Sequence, residues 1–284
     1  MHHRHIIGRD KPLLCRHTAN LESDWFSNDS VERYNKNMEL GLLDPVYNDL
    51  AYVHYKFNSY GYRTVEFDTY NDNEFFLAMG CSYTVGEGLA SQDRWSDRLT
   101  ELSGIPNINM GISGSGLDTH MINSIHWTAS NLPKPKFVVV QQPEVTRFQT
   151  WNTEELDSDL IFSEICDDSQ DRLDKLLHQL TRQLKPGDDR RVITEPVNVA
   201  YQTEIMNFYW STLGIPVYHW TFTGDADVVK NFTQVPIHSY PGDFSEIVDR
   251  WPGDCARDCA HDGIHNNKLV AELLYKHIKS EMTL

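Results

Sequence analysis

The sequence is poor in cysteine, in long apolar runs and in basic residues, and each deficit excludes a class of protein. Five cysteines among 284 residues are too few, and odd in number, for a disulfide framework, and they fit a reducing compartment. No apolar run approaches the roughly 20 residues that cross a bilayer. The first residues also lack the apolar segment of a secretion signal. We therefore expect a cytoplasmic protein with no membrane partner.

Positive charge is scarce. Lys and Arg number 25 against 41 Asp and Glu, which gives a formal net charge of −16. Nucleic acids and anionic membranes bind clustered Lys and Arg, so neither is expected as a main partner. Small neutral or cationic molecules, sugars and proteins remain open as partners, and the oligomeric state is left open.

What the chain does contain is an alternation of strand and helix patterns from residue 74 onward. Residues 75–79 and 137–140 read as buried strands, residues 191–194 as a further strand, and residues 267–280 as a closing helix. This alternation predicts an α/β fold with a mainly parallel sheet covered on both faces.

Three other segments have a different character. Residues 1–73 show weak periodicity and are predicted to be an N-terminal extension packed on a core domain of residues 74–284. Leucines at helical spacing predict an amphipathic helix over 173–180, and 223–260 reads as loop.

A serine flanked by glycines follows the first predicted strand. Residues 80–88 read G-C-S-Y-T-V-G-E-G, which is typical of a tight turn after a strand. Such a turn can expose the Ser82 hydroxyl at the carboxyl end of the sheet, where open α/β folds place their chemistry. A capping serine in an ordinary turn is the plain alternative.

Two later segments can assist such a serine. The glycine-rich stretch 109–116 can present backbone N–H groups to an oxyanion, or it can be a flexible loop that binds nothing. Asp262 and His265, spaced Asp-x-x-His before the closing helix, can supply a base and the carboxylate that orients it. An isolated pair of this kind is otherwise a surface cap or salt link.

Together the three segments resemble the sequence blocks of the SGNH (GDSL-type) hydrolase family of esterases, lipases, thioesterases and carbohydrate deacetylases. The resemblance implies a flavodoxin-like three-layer α/β/α sandwich with a mainly parallel sheet, plus the N-terminal extension. It implies Ser82 as nucleophile, Asp262 as orienting acid and His265 as base. The backbone N–H groups of Ser82 and Gly114 would be oxyanion donors, and no metal or organic cofactor is needed.

The chain departs from the family pattern at two positions. Cys81 stands where the family usually has Asp before the serine. The third block, normally Gly-x-Asn-Asp, has no asparagine here, so its oxyanion donor would be Gln142 or Arg147, or be absent. Loss of one such donor typically costs about 10² to 10³ in rate.

The expected function is a serine hydrolase that cleaves an ester, with a small acyl group on a carbohydrate as the preferred substrate. A weak or inactive glycan-binding protein and an O-acyltransferase are the alternatives. The aromatic residues Trp151, Tyr209, Trp210, Trp220 and Trp251 can form a sugar platform, although such residues more often lie in the core.

A zinc site is a further alternative near the end of the chain. Cys255, Cys259, His261 and His265 offer thiolate and imidazole ligands within a short stretch, but not at the usual knuckle spacing. Two unpaired thiols are the simpler expectation for the cysteines.

Overall fold

The fold was analysed in a computed structural model. It describes residues 4–8, 13–15, 17–145, 147, 149–152, 160–165, 191–222, 229–239 and 254–282 of the chain.

Helices and strands alternate along the core domain. The strands are β1 (Arg4–Gly8), β2 (Glu22–Ser23), β3 (Tyr55–Lys56), β4 (Phe76–Met79), β5 (Asn107–Asn109), β6 (Phe137–Gln142), β7 (Gln149–Asn152), β8 (Leu160–Ile165), β9 (Val217–Thr221) and β10 (Ile237–Ser239). The α-helices are α1 (Val31–Glu39), α2 (Ser82–Val85), α3 (Trp95–Ser103), α4 (Leu117–Ala129), α5 (Arg191–Thr212) and α6 (Ile264–Glu281). Short 3₁₀ turns lie at Pro45–Asn48, Leu50–Tyr52 and Ser91–Asp93.

The central sheet has five strands in the spatial order β5-β4-β6-β9-β10, and every neighbouring pair is parallel. Numbered by their order in the chain, the sheet strands follow the order 2-1-3-4-5. This is the order of the flavodoxin-like doubly wound fold. The predicted fold class is therefore confirmed.

Helices cover both faces of this sheet. Strands β4 and β6 are buried along their whole length, because a parallel sheet between two helical layers has no solvated face. On one face α3 and α6 pack through Trp95, Leu99 and Leu274. On the other face α4 and α5 pack through Trp127 and Trp210.

The described part of the N-terminal residues packs against the same core. Leu13, Cys15, Tyr62 and Phe67 belong to the cluster that lies under α4 and α5. Phe67 contacts Trp127 with ring centroids 5.0 Å apart. The predicted extension therefore contributes side chains to the core of the α/β domain.

The predicted strand at 191–194 is wrong, because these residues begin α5. Val199, Met206 and Trp210 bury one face of this helix against the sheet, and this packing outweighs the strand preference of the β-branched residues near its start.

Three other predictions from the sequence have different outcomes. The predicted loop 223–260 contains the edge strand β10, whose polar residues hide the strand pattern. The closing helix is confirmed, although it begins at Ile264. The helix predicted over 173–180 lies outside the described residues.

Among the described residues, no helix has both the length and the apolar character that a membrane crossing requires.

Packing of α6 on the sheet gives a first testable prediction. Leu274 is fully buried, so Leu274→Ala should lower the free energy of unfolding by about 2–5 kcal/mol, measured by denaturant titration. The matched control is Leu102→Ala on α3, whose side chain is 38% exposed, and which should change stability by about 0.5 kcal/mol or less. Equal effects of the two variants would contradict the assigned packing.

Candidate active site

The turn after β4 holds Ser82 at the carboxyl end of the sheet. Gly80 and Cys81 connect the strand to α2, of which Ser82 is the first residue. Gln141 at the end of β6 supports this turn, since its Oε1 accepts from the Cys81 N–H at 2.9 Å. A Cβ at Gly80 would lie 2.8 Å from Gln141 Cβ, closer than two such atoms approach, so glycine is favoured there. Ser82 retains 6% of its surface exposed.

Ser82 is hydrogen-bonded to His261, and His261 to Asp258. The Ser82 Oγ lies 2.7 Å from His261 Nε2, and His261 Nδ1 lies 2.6 Å from Asp258 Oδ2. Asp258 accepts the Nδ1–H, so that when the imidazole is neutral its Nε2 can accept the Ser82 proton. His261 is 8% and Asp258 2% exposed. A hydroxyl, an imidazole and a carboxylate thus form one continuous chain.

The loop before α6 brings these two residues to Ser82. The Asp258 carboxylate accepts from the N–H groups of Ala260 and His261 at 3.1 and 3.3 Å, and the Ala256 N–H donates to the His261 carbonyl at 3.0 Å. These bonds close a tight turn that presents the imidazole. The loop lies directly before α6, where the sequence predicted an Asp-x-x-His pair.

The predicted residues Asp262 and His265 are not the ones that contact Ser82. Gly263 caps α6, so His265 lies in the first turn of that helix, where it is exposed and its N–H donates to Asp254 Oδ1 at 2.9 Å. Asp262 Oδ1 accepts from the Asn266 amide at 3.5 Å. The prediction is therefore wrong by four residues at both positions: Asp258 takes the place predicted for Asp262, and His261 the place predicted for His265. The reason is that α6 begins at Ile264 and includes His265.

The sequence did contain a signal for the observed pair. Residues 258–261 read Asp-Cys-Ala-His, which has the same Asp-x-x-His spacing as residues 262–265. A glycine directly before a helical pattern is a helix start signal. Applied to Gly263, that signal places His265 inside the helix and leaves His261 in the loop.

The predicted oxyanion donors have different surroundings. As the first residue of α2, Ser82 has an N–H without a partner inside the helix. Gly114 lies in the loop before α4 with φ +72°. The Gln142 amide instead donates to Thr203 Oγ1 at 2.8 Å and faces His219, which directs it toward α5. Arg147 pairs with Glu144, Nε to Oε2, at 2.5 Å.

A second buried carboxylate, missed from the sequence, lies beside this chain of residues. Glu87 is fully buried and accepts hydrogen bonds from the Ser113 hydroxyl and from the Asn28 N–H. Ligating atoms of Glu87, Asp258 and His261 lie within 4.8 Å of one another. Such a group can hold a metal ion, but an ion would occupy a ring nitrogen of His261 that now bonds to Ser82 or to Asp258.

The buried carboxylates set the charge of His261. Burial alone would lower the pKa of His261, but the nearby carboxylates of Asp258, Glu87 and Asp262 raise it to about 9. Burial likewise opposes ionisation of Asp258, yet its contacts with His261 and with backbone N–H groups lower its pKa. The site therefore stabilises a positively charged imidazolium between negative groups.

Among the described residues, the ligating atoms of Cys255, Cys259, His261 and His265, which were considered for a zinc site, do not come together in one group. Cys255 and Cys259 are paired as a disulfide with Cα atoms 5.0 Å apart, which also corrects the expectation of two free thiols. His261 is bonded to Ser82 and Asp258, and His265 is exposed on α6. Cys15 and Cys81 are free and buried.

The aromatic residues considered for sugar stacking are mainly core residues. Trp210 and Trp220 are 0% and 3% exposed, and Tyr209 is packed against the core. The side chains of Trp151 and Trp251 lie outside the described part of the chain. Tyr83 instead borders the site, with its ring 4.8 Å from the His261 ring and 4.0 Å from the Phe222 ring.

No protein-family model and no curated protein matches the chain. Similar solved structures include a protein described as lipolytic, of the G-D-S-L family, from Desulfitobacterium hafniense. It is 12% identical with a TM-score of 0.43, and the match covers 72% of this chain and 99% of the other.

Two esterases are also similar. A two-domain esterase active on acetylated mannans is 14% identical with a TM-score of 0.43, covering 75% of this chain and 51% of the other. An acetyl xylan esterase from the rumen bacterium Butyrivibrio proteoclasticus is 9% identical with a TM-score of 0.38, covering 75% and 65%. At these identities and TM-scores no activity or substrate carries over to this chain.

The environment of His261 gives a second prediction. We expect Glu87→Gln to lower the pKa of His261 from about 9, because the variant removes a negative charge that favours the imidazolium. NMR titration of ¹⁵N-labelled histidine measures this. Glu101→Gln, at an exposed residue paired with Arg98, is the control and should leave the titration unchanged. An unchanged pKa in Glu87→Gln would exclude this role of Glu87.

Protonation of His261 also affects the stability of the folded state. The folded-state pKa of His261 is raised above its ordinary value of 6.5, so protonation of His261 stabilises the folded state. That contribution is complete below about pH 6.5 and is lost as the pH rises through about 9. Glu87→Gln should reduce it.

Proposed function

We propose that this protein is a serine ester hydrolase of the SGNH type, in which Ser82 is the nucleophile, His261 the general base and Asp258 the orienting acid. The observation that carries the proposal is the continuous contact from Ser82 Oγ to His261 Nε2, at 2.7 Å, and from His261 Nδ1 to Asp258, at 2.6 Å. The site stands at the carboxyl end of a parallel sheet, where chemistry is expected in this fold.

In the proposed reaction Ser82 Oγ attacks the acyl carbonyl carbon while its proton passes to His261 Nε2. Asp258 stabilises the imidazolium that forms. The N–H groups of Ser82 and Gly114 donate to the oxyanion of the tetrahedral intermediate. His261 then gives its proton to the leaving alcohol. A water molecule, deprotonated by His261, cleaves the acyl-enzyme, releases the carboxylic acid and restores Ser82.

The preferred substrate is a small acyl ester of a neutral molecule, with an acetylated carbohydrate as the candidate. Ser82 is only 6% exposed, and the rings of Tyr83 and Phe222 lie beside the base, which favours a short acyl chain. The net charge of −16 disfavours an anionic substrate.

Substitution of His261 and of His265 tests which of the two is the general base. Ser82→Ala and His261→Ala should lower kcat for p-nitrophenyl acetate by about 10⁴ to 10⁶-fold, the range for loss of a triad member. His265→Ala should retain the wild-type rate, because that side chain is exposed on α6. Full activity in His261→Ala, or loss of activity in His265→Ala, would refute the assignment. Assays in the presence of EDTA should give the same rates.

Acyl-chain length tests the substrate class. We expect kcat/KM to fall from p-nitrophenyl acetate to the octanoate, and acetate release from acetylated oligosaccharides to depend on Ser82. Higher kcat/KM for the long chain would exclude the short-acyl assignment while leaving the ester hydrolase intact. Acetyl transfer to an added sugar in place of water, followed by mass spectrometry, would identify an O-acyltransferase.

A further inference from the structure

Arg257, directly before Asp258, is a charged residue with no exposed surface. Its guanidinium pairs with Asp29, with Nη2 2.6 Å from Oδ2 and Nε 3.0 Å from Oδ1. It also lies over the Trp25 ring, 4.0 Å from the ring centroid. Asp29 and Trp25 both belong to the N-terminal residues. A buried charge without a partner is very unfavourable, so the loop can pack here only when this pair forms.

The remaining polar groups of Arg257 are also engaged. Nη1 donates to the Leu50 carbonyl at 3.3 Å, and Nη2 also donates to the Asp24 carbonyl. The backbone N–H donates to the Gly88 carbonyl at 3.0 Å, and the backbone carbonyl accepts from the Asn37 amide at 3.2 Å. Arg257 is therefore fixed through both its side chain and its backbone.

Tyr55 connects the Asp29 carboxylate to the segment 80–88, which carries Ser82. Its hydroxyl donates to Asp29 Oδ2 at 2.6 Å and accepts from the Gly88 N–H at 2.7 Å. Gly88 lies shortly after Ser82, and Arg257 lies shortly before His261. Asp29 is thus a common anchor for the segment that carries the nucleophile and the loop that carries the base.

We propose that Arg257 is a positioning residue, and that the Asp29–Arg257 pair supplied by the N-terminal residues holds Asp258 and His261 in register with Ser82. The inference rests on the proposed function for its catalytic consequence. No residue separates Arg257 from Asp258, so a displaced guanidinium moves the carboxylate that orients the imidazole. A misplacement of about 1 Å can cost about 10²-fold in rate.

The test uses two variants of the full chain. Asp29→Leu/Arg257→Met removes both charges at once, since replacing a buried ion pair by apolar residues is often tolerated by the fold. Asp29→Asn keeps the shape and a hydrogen-bond acceptor for Arg257 and serves as the second variant where the double variant does not fold. Leu274→Ala is the control, because it destabilises the core between α6 and the sheet without touching Arg257.

Two readouts separate positioning from general stability. The first is kcat against KM for p-nitrophenyl acetate: we expect kcat to fall about 10²-fold with KM little changed. The second is the ¹H NMR resonance of the His261 Nδ1–H, assigned by its loss in His261→Gln, which we expect to shift or to broaden. The control should keep wild-type kcat and resonance at a comparable loss of thermal stability. A folded variant with wild-type kcat and an unchanged resonance would overturn the proposal.

Failure of this inference is distinguishable from failure of the proposed function. A wild-type protein that neither hydrolyses esters nor labels at Ser82 with a fluorophosphonate refutes the hydrolase. The NMR readout still decides the positioning role, because it reports the contact between His261 and Asp258 without any turnover. A change of resonance in the variants supports the role of Arg257, and an unchanged resonance refutes it.

Discussion

The close approach of the loop before α6 to Gly88 is the contact on which the site depends. A Cβ at Gly88, whose φ is +74°, would lie 2.8 Å from Ala256 Cβ and 2.9 Å from the Arg257 nitrogen. Only glycine allows the two backbones to meet there, and the Arg257 N–H then bonds to the Gly88 carbonyl. The sheet places Ser82 and His261, the first and the last of the catalytic candidates along the chain, at the same edge. This backbone contact then brings the loop before α6 close enough for His261 Nε2 to lie 2.7 Å from Ser82 Oγ.

Three buried carboxylates, Asp258, Glu87 and Asp29, lie at or beside the site, and each has defined donors. Asp258 is satisfied by the loop backbone and His261. Glu87 is satisfied by Ser113 and Asn28, and Asp29 by Arg257 and Tyr55. Buried carboxylates persist only when hydrogen-bonded or paired. The N-terminal residues supply donors to two of the three, so the proposed site is incomplete without them.

The fold was largely predictable because its central strands β4 and β6 contain continuous apolar runs, such as 137–140, separated by segments of helical spacing. The strand at 191–194 was mispredicted because packing of Val199 and Trp210 on the sheet decides the structure there. The turn that holds Ser82 was recognisable from its glycines. The proposed base was not, because two Asp-x-x-His pairs follow one another at 258–261 and 262–265, and only the start of α6 at Ile264 distinguishes them. Glu87, Asp29 and Arg257 act through contacts between residues distant in sequence, which no local pattern reveals.

The two glutamines at the end of β6 are both hydrogen-bonded to other protein groups. Gln141 is directed at the nucleophile turn, where its Oε1 accepts from both the Cys81 N–H and the Cys81 thiol, at 2.9 and 3.2 Å. Its own amide donates to the Gln142 carbonyl, and the Gln142 amide donates to Thr203. Both side chains are therefore engaged within the protein, Gln141 with the turn that holds Ser82 and Gln142 with α5. Stabilisation of an oxyanion would then fall to backbone N–H groups, which are fixed in direction by α2 and by the loop before α4. Because such groups cannot be lost by a side-chain substitution, the proposed chemistry depends on the shape of these turns more than on any one donor residue.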